Sequence, residues 1–428
     1  MTPRLALDPR VAELPISPTL AAKLRAGELA AQGQRVHRLG LGQSPFPVPS
    51  PVVHALRAAA SERDYLPPGG LPTLRVAVAD FFRRRHGITF AAEDVVVGPG
   101  SKELMFLLQL CFDGDILIPT PSWVSYQPQA ILAGRRLVAL PGGGRHRLMV
   151  DPDTLAQLCQ ADDRPRMIFL NSPSNPTGLA CSHDEIAALA QVCRRHGVVV
   201  LSDEIYADLD FSGRHASMAR AYPEGTIVAS GLSKWCGAGG WRLGTVALPE
   251  PLRPLRRALE AVASETYSST SAPIQHAAVT AFRPSHEIET YLADARRILA
   301  LLMRWTAGEL AAAGLDVPEP EGGFYLFPGF GPLRAALARR GVEDDVRLTE
   351  ALLDATGVMA VPGSAFGMDP RALRLRLALV DFDGAAAMAA VSTRPLDLQF
   401  LEDVLTPMWD AAHAMTGWLA SLRDGAAP

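Results

Sequence analysis

The chain has 428 residues, enough for a large buried core and two or three domains. Hydrophobic residues make up 48% and charged residues 20%, with a net charge of -4, an ordinary soluble composition with no electrostatic case for nucleic acid or an anionic membrane. Five scattered cysteines and ten histidines without ligand spacing argue for reduced thiols in a cytoplasmic setting and for no metal site. No stretch approaches the apolar length of a membrane span, and the start, Met1–Pro9, holds no apolar run of signal-peptide length.

Residues 17–32 read as a helix capped by Ser17 and stopped at Gly33. Leu39-Gly40-Leu41-Gly42-Gln43-Ser44-Pro45 is too dense in turn residues for regular structure and, taken alone, is a connector. Tyr65 stands beside a Pro-Pro-Gly turn that leads into another helix. From there strand and helix patterns alternate, as in an α/β doubly wound sheet. Strands are expected at Val95–Val97, Asp115–Pro119, Met167–Leu170, Val198–Leu201 and Thr226–Ala229. Ser182-His183-Asp184-Glu185 is a capping box that starts a helix, and Gly197 ends it. Further on, the sequence predicts a helix about Tyr291–Trp305 and strands at Glu321–Phe327 and Leu373–Leu379. The second of these alternates strictly, so Arg374 and Arg376 share a face. A helix over Leu398–Leu422 closes the pattern, and the last few residues read as disordered.

Five successive strands each end in groups that suit one ligand. After Val97, Gly98-Pro99-Gly100-Ser101-Lys102 turns into a helix, whose free N–H groups and dipole favour phosphate. The spacing is not Gly-x-Gly-x-x-Gly, which argues against a dinucleotide. Trp123 and Tyr126 follow the second strand, Asn175 the third, and Asp203 and Tyr206 the fourth. The fifth runs into Ser230-Gly231-Leu232-Ser233-Lys234-Trp235-Cys236-Gly237-Ala238-Gly239-Gly240-Trp241-Arg242-Leu243-Gly244. On its own that is a loop with one lysine. Lysine, however, condenses with carbonyls, and arginine binds phosphate bidentately. An aldehyde that carries a phosphate describes pyridoxal 5'-phosphate (PLP). A carboxylate such as Asp203 would keep its ring nitrogen protonated. In open α/β sheets ligands bind outside the carboxyl ends of strands, where all these groups fall.

The lysine stretch resembles, position by position, the attachment signature of the class I/II aminotransferases of the PLP-dependent fold-type I superfamily, the aspartate aminotransferase-like enzymes. The resemblance covers about residues 15–390. It implies that Lys234 is the Schiff-base lysine and that Arg242 and the backbone of Ser101 and Lys102 bind the phosphate. It further implies that Trp123 stacks on the pyridine ring, with Tyr126 behind it, and that Asn175 and Tyr206 bond the ring oxygen O3'. Asp203 then meets the ring nitrogen, and Gly42 meets the substrate carboxylate. Gln43-Ser44 replaces the family's usual Glu-Pro after that glycine. One arginine of the Leu373–Leu379 strand clamps the substrate α-carboxylate; the register leaves Arg376 and Arg374 open, with Arg376 preferred. Tyr65 would reach the cofactor phosphate of a partner in a homodimer, with residues 264–276 as a second dimer contact.

By the same resemblance, residues 50–300 form a large PLP-binding domain with a mostly parallel seven-stranded sheet flanked by helices. Residues 1–49 supply an N-terminal arm and part of a smaller α+β domain, and 301–428 the rest of it. The expected reaction is transamination between an α-amino acid and a 2-oxo acid, Lys234 moving the proton between Cα and C4'. β-Elimination lyases and cyclising synthases use the same residues. A PLP-binding regulator would carry an added DNA-binding domain, for which there is no room before the first helix and no basic patch.

Overall fold

A computed structural model of the chain describes residues 5–12, 14, 16–143 and 149–423. Its strands, in chain order, are His37–Arg38 (β1), Val95–Gly98 (β2), Asp115–Thr120 (β3), Leu137–Gly143 (β4), Met149–Val150 (β5), Arg166–Asn171 (β6) and Val199–Asp203 (β7). Thr226–Gly231 (β8), Gly244–Ala247 (β9), Tyr325–Leu326 (β10), Val358–Met359 (β11), Val361–Pro362 (β12) and Leu375–Ala378 (β13) follow. The central sheet runs β2-β9-β8-β7-β6-β3-β4-β5. Strands β3, β4, β6, β7 and β8 are parallel, and β9 lies antiparallel between β8 and β2. Seven of these strands match the expected sheet; two-residue β5, paired antiparallel with the end of β4, adds an eighth.

The middle strands are apolar on both faces because both faces are covered. On one face Ile116, Phe169, Leu201 and Ile227 pack against Leu104 and Leu108 of the helix Ser101–Cys111 and Leu259 of the helix Arg253–Thr266. On the other, Leu117, Ile168 and Val200 meet Ile186, Leu189 and Cys193 of the helix His183–His196. That helix starts in the expected capping box: Ser182 Oγ accepts from the Glu185 N–H, and the Glu185 carboxylate accepts from the Ser182 N–H at 2.8 Å. Gly197, at φ 63°, stops it.

Elements near both chain ends build two smaller sheets. β1 pairs parallel with β11, and β13 lies antiparallel between β10 and β12. Here four expectations need correction. The helix Pro18–Ala31 has Ser17 at its N-cap, but the hydroxyl makes no capping bond; Pro18, which has no N–H to satisfy, opens the helix instead. The strand expected at 321–327 shrinks to β10, because Gly323 takes φ 68° and the N–H groups of Glu321 and Gly322 donate to Gly178. The strand expected at 373–379 begins at Leu375, since Leu373 is left-handed at φ 51°. The last helix is two, Leu398–Val404 and Thr406–Arg423, because Pro407 has no N–H to carry the first into the second. Residues 424–428, where disorder is expected, lie outside the described residues.

A 27-residue helix, His286–Ala312, packs against the final helix through Trp305 and Trp409, stacked at 4.7 Å. The connector 39–45 threads between the two halves of the site: the Leu39 carbonyl accepts from Ala378 of β13, and the Gly42 carbonyl from Lys234. Among the described residues no helix is long and apolar enough to cross a membrane.

Candidate active site

β2, β3, β6, β7 and β8 all point the same way, so their carboxyl ends share one edge of the sheet. The loops beyond that edge enclose a cavity of about 490 Å³. Gly42, Ser101, Lys102, Trp123 and Asn175 line it, together with Asp203, Tyr206, Lys234, Arg242 and Arg376. Tyr65 is not among its walls and stands 91% exposed elsewhere on the chain.

Lys234 sits in the turn after β8. Its Nζ donates to the Gly42 carbonyl at 2.7 Å and lies 5.7 and 5.6 Å from the rings of Tyr206 and Phe324. Burial, aided by the Arg376 guanidinium and opposed by Asp203, lowers its pKa from 10.5 to about 8. About a tenth of it is therefore free amine at pH 7, against well under a thousandth for an ordinary lysine. Reductive alkylation of Lys234 in the cofactor-free protein is expected to rise with pH and reach half its maximum near pH 8, followed by peptide mapping. A midpoint near 10.5 would show that the site does not activate this amine.

Asp203 ends β7. Its carboxylate accepts from the Tyr126 hydroxyl at 2.6 Å and from the Ile205 N–H at 3.3 Å. Burial pushes its pKa up to about 6, and the Tyr126 hydrogen bond holds it from rising further. The Asp203 carbonyl accepts from Asn171 Nδ2 at 2.9 Å, while Asn171 Oδ1 accepts from the Asn175 N–H at 2.7 Å. One strand end thus fixes both Asp203 and Asn175.

Along another wall of the cavity the helix Ser101–Cys111 begins without a side-chain cap, after Gly100 at φ 94°. Arg242, left-handed at φ 55°, lies across that helix start and donates to the Gly239 and Pro99 carbonyls at 2.9 and 3.4 Å. A side chain at position 100 would collide with its guanidinium. Lys102 Nζ lies 5.0 Å from the Trp123 ring, and its pKa is lowered by burial and by Arg242. Arg242 and an uncapped helix N-terminus make this a site for an anion, with the Lys102 ammonium beside it over Trp123.

Arg376, on β13, is 1% exposed. It donates to the Gly40 carbonyl and, at 3.4 Å, to Asn175 Oδ1. It also lies against the rings of Tyr325 and Phe366 at 4.8 and 5.2 Å. Among the described residues its Nε has no partner. Arg374 does not line the cavity; it donates to the Phe327 carbonyl and pairs with Asp316. The two arginines therefore have different partners, although Arg374 keeps the register of β13 through a bridge to Gly329.

Several residues that shape the site were not singled out by sequence reasoning. The Tyr325 hydroxyl lies 2.9 Å from that of Tyr206, and it fills the space a side chain at Gly42 would need. In the sequence Tyr325 lies within the expected strand Glu321–Phe327, whose pattern marks no single residue. Asn171 was legible as a polar residue ending a buried strand. Ser17, Thr19 and Leu20 also line the cavity, and nothing in the sequence brings them there.

The family of aminotransferases of class I and II matches residues 34–387. An aspartate aminotransferase of Geobacillus stearothermophilus is 35% identical over 85% of this chain and 92% of that one. An aspartate/prephenate aminotransferase of Cereibacter sphaeroides is 32% identical over 88% and 95%. The structure of the Thermus thermophilus aspartate aminotransferase with maleate superposes with a TM-score of 0.82 at 28% identity, covering 97% of this chain and all of that one. The chain belongs to the class I and II aminotransferases. It is a transaminase, transferring an amino group between an α-amino acid and a 2-oxo acid.

Proposed function

We propose that this cavity holds PLP and that the preferred amino donor is an acidic α-amino acid, aspartate first among them. The supporting observation is the set of charges in one cavity: a depressed lysine, a supported carboxylate, an anion cradle and a buried arginine with an unpaired Nε. Arg242 and the N–H groups of Ser101 and Lys102 would take the cofactor phosphate, and Asp203 its ring nitrogen. Asn175 has its Oδ1 turned to Arg376, which leaves its amide, beside Tyr206, for the ring oxygen. Trp123 would cover the ring face, and Lys234 is the attachment point. When bound, the cofactor supplies an electron sink for the charge left at substrate Cα.

The remaining steps belong to the chain's own side chains. Arg376 binds the substrate α-carboxylate, using the fork that Gly40 and Asn175 orient. The Lys234 amine takes the Cα proton and later delivers one to the acceptor carbon, for which a pKa near neutrality is suited. With Arg242 and Arg376 committed, Lys102 is the cation left over for a second carboxylate. The names of the relatives agree, and maleate, in the T. thermophilus structure, is a dicarboxylate.

One half-reaction tests this. Aspartate without any acceptor is expected to give one equivalent of pyridoxamine phosphate and of 2-oxo acid, with alanine about 10²-fold slower for want of the second ion pair. Continuous ammonia release, or equal rates for the two donors, would overturn the proposal.

We also propose a cytoplasmic homodimer in which Tyr65 serves the partner's site. Its exposure on the single chain and the family resemblance support this. Mixing Tyr65→Phe with Lys234→Ala chains then yields heterodimers with one doubly altered and one intact site, and up to about a quarter of wild-type activity is expected from random exchange. No recovery after verified exchange would refute the sharing. The β1–β11 pairing and the β10-β13-β12 sheet support dividing the chain into a large domain at 50–300 and a small one from 1–49 and 301–428.

A further inference from the structure

Glu204 follows Asp203 in the chain, yet it does not line the cavity. It is 2% exposed, and its carboxylate accepts from Ser202 Oγ at 2.9 Å and Ser217 Oγ at 2.5 Å. Its other oxygen lies 3.2 Å from Nε2 of His215, which is itself buried. The Glu204 backbone is tied on both sides as well. Its N–H donates to Ala229 of β8 at 2.8 Å, and its carbonyl accepts from the Ala207 N–H at 3.0 Å. Residue 204 therefore joins the strand that ends in Asp203 to the strand that leads to Lys234, at the base of the turn bearing Tyr206.

Burial by itself would protonate Glu204 and neutralise His215. Each outweighs that for the other: the Glu204 carboxyl is held below its ordinary range and the His215 imidazole above it. The surroundings are charged too. His86 packs edge-on against His215, with ring centres 5.7 Å apart, its Nε2 3.8 Å from Asp208; Arg85 bonds Asp208 at 2.5 Å, and Asp210 adds a further negative charge near His215. None of these side chains lines the cavity. A buried ion pair gains little net stability, because desolvation offsets attraction. Its effect is to be sought in what it holds.

We propose that the buried Glu204–His215 pair positions Asp203: Glu204 anchors the turn that carries Asp203 and Tyr206, and His215 cancels the Glu204 charge so that Asp203 keeps its own. The proposal rests on the assignment of Asp203 to the cofactor ring nitrogen. With His215 gone, Glu204 becomes an uncompensated like charge beside Asp203 and favours its protonated form. A protonated Asp203 loses its hold on a protonated ring nitrogen.

The test compares the full-length cofactor-free protein binding PLP with its binding 1-deazapyridoxal 5'-phosphate, in which C–H replaces the ring nitrogen. The ratio of the two Kd values reads Asp203 alone, and packing damage that affects both ligands cancels. Asp203→Asn is expected to abolish the preference for PLP. His215→Gln is expected to reduce it about fivefold at about pH 6 and by less at higher pH, where Asp203 is ionised in either protein. Glu204→Gln/His215→Gln, which removes both charges, is expected to restore it to within about twofold of wild type.

If Asp203→Asn keeps the preference, the assignment of Asp203 fails and the proposal with it. If Asp203→Asn loses it while His215→Gln does not, the proposal alone fails. A double variant as impaired as His215→Gln also overturns it, since that pattern marks packing and not charge. Should His215→Gln not fold by circular dichroism, Glu204→Gln is expected to keep the preference within about twofold, and a tenfold loss there overturns charge compensation.

Discussion

Lys234→Ala is expected to lower turnover by at least about 10⁴-fold if, as proposed, one amine both attaches the cofactor and moves the proton. The structure gives the reason that no neighbour substitutes. Within the cavity the other cations are Lys102, over the Trp123 ring at the phosphate end, and the arginines 242 and 376, which do not deprotonate near neutrality. The variant should still bind PLP through the helix N-terminus and Arg242, but without covalent attachment. Borohydride treatment followed by peptide mapping is therefore expected to find the pyridoxyl group on Lys234 in the wild type and nowhere in the variant. A variant that turns over at the wild-type rate would refute the assignment.

The second large effect is expected at Arg376. Arg376→Ala should reduce kcat/KM by about 10²–10³-fold, the cost of leaving a substrate carboxylate without its bidentate partner in a dry site. Arg376→Lys keeps the charge but loses the planar fork, the contact with the Tyr325 and Phe366 rings and the bond to Asn175. It should recover only part of that loss. Arg374→Ala is the matched control two residues away. It breaks a pair with the half-exposed Asp316 at the periphery and is expected to stay within about threefold of wild type. Steady-state kinetics on the three variants settles the point: equal losses at 374 and 376 would show that the carboxylate binds elsewhere.

The parts of this site that were legible in the sequence are those that local chemistry dictates. Val95–Val97 and Val198–Leu201 are apolar whichever way they face, so they read as strands of a covered sheet, and the helix that follows Gly100 starts where the glycine turn says it should. Asp203 and Lys234 were visible because a polar residue at the end of such a strand has few structural uses. What escaped depends on contacts between distant segments. Tyr325 matters through Gly42 and Tyr206, far from it in the chain. The choice between Arg374 and Arg376 turns on partners distant in the chain, Asp316 and the Phe327 carbonyl for one and Gly40 and Asn175 for the other, which alternation cannot reveal. Ser17 carries the right residue type for a cap, but Pro18 makes the cap unnecessary. Glu204, between Asp203 and Tyr206, carries no signal of its own in the sequence, since its partners Ser217 and His215 lie beyond the turn.

The cavity's walls come from both ends of the chain. Gly42 is held in place through Leu39, whose carbonyl waits for Ala378, and Arg376 completes the floor two residues earlier. Nothing short of almost the whole polypeptide contains the site. During synthesis, then, Lys234 leaves the ribosome on the order of ten seconds before the strand that closes its surroundings, at ordinary elongation rates. Until that strand arrives the Arg376 guanidinium, which helps to lower the pKa of its amine, is missing. If Lys234 is the attachment residue, as proposed, a chain interrupted in that interval would carry it without the surroundings that lower its pKa, and covalent capture of the cofactor would be confined to chains whose synthesis is nearly finished.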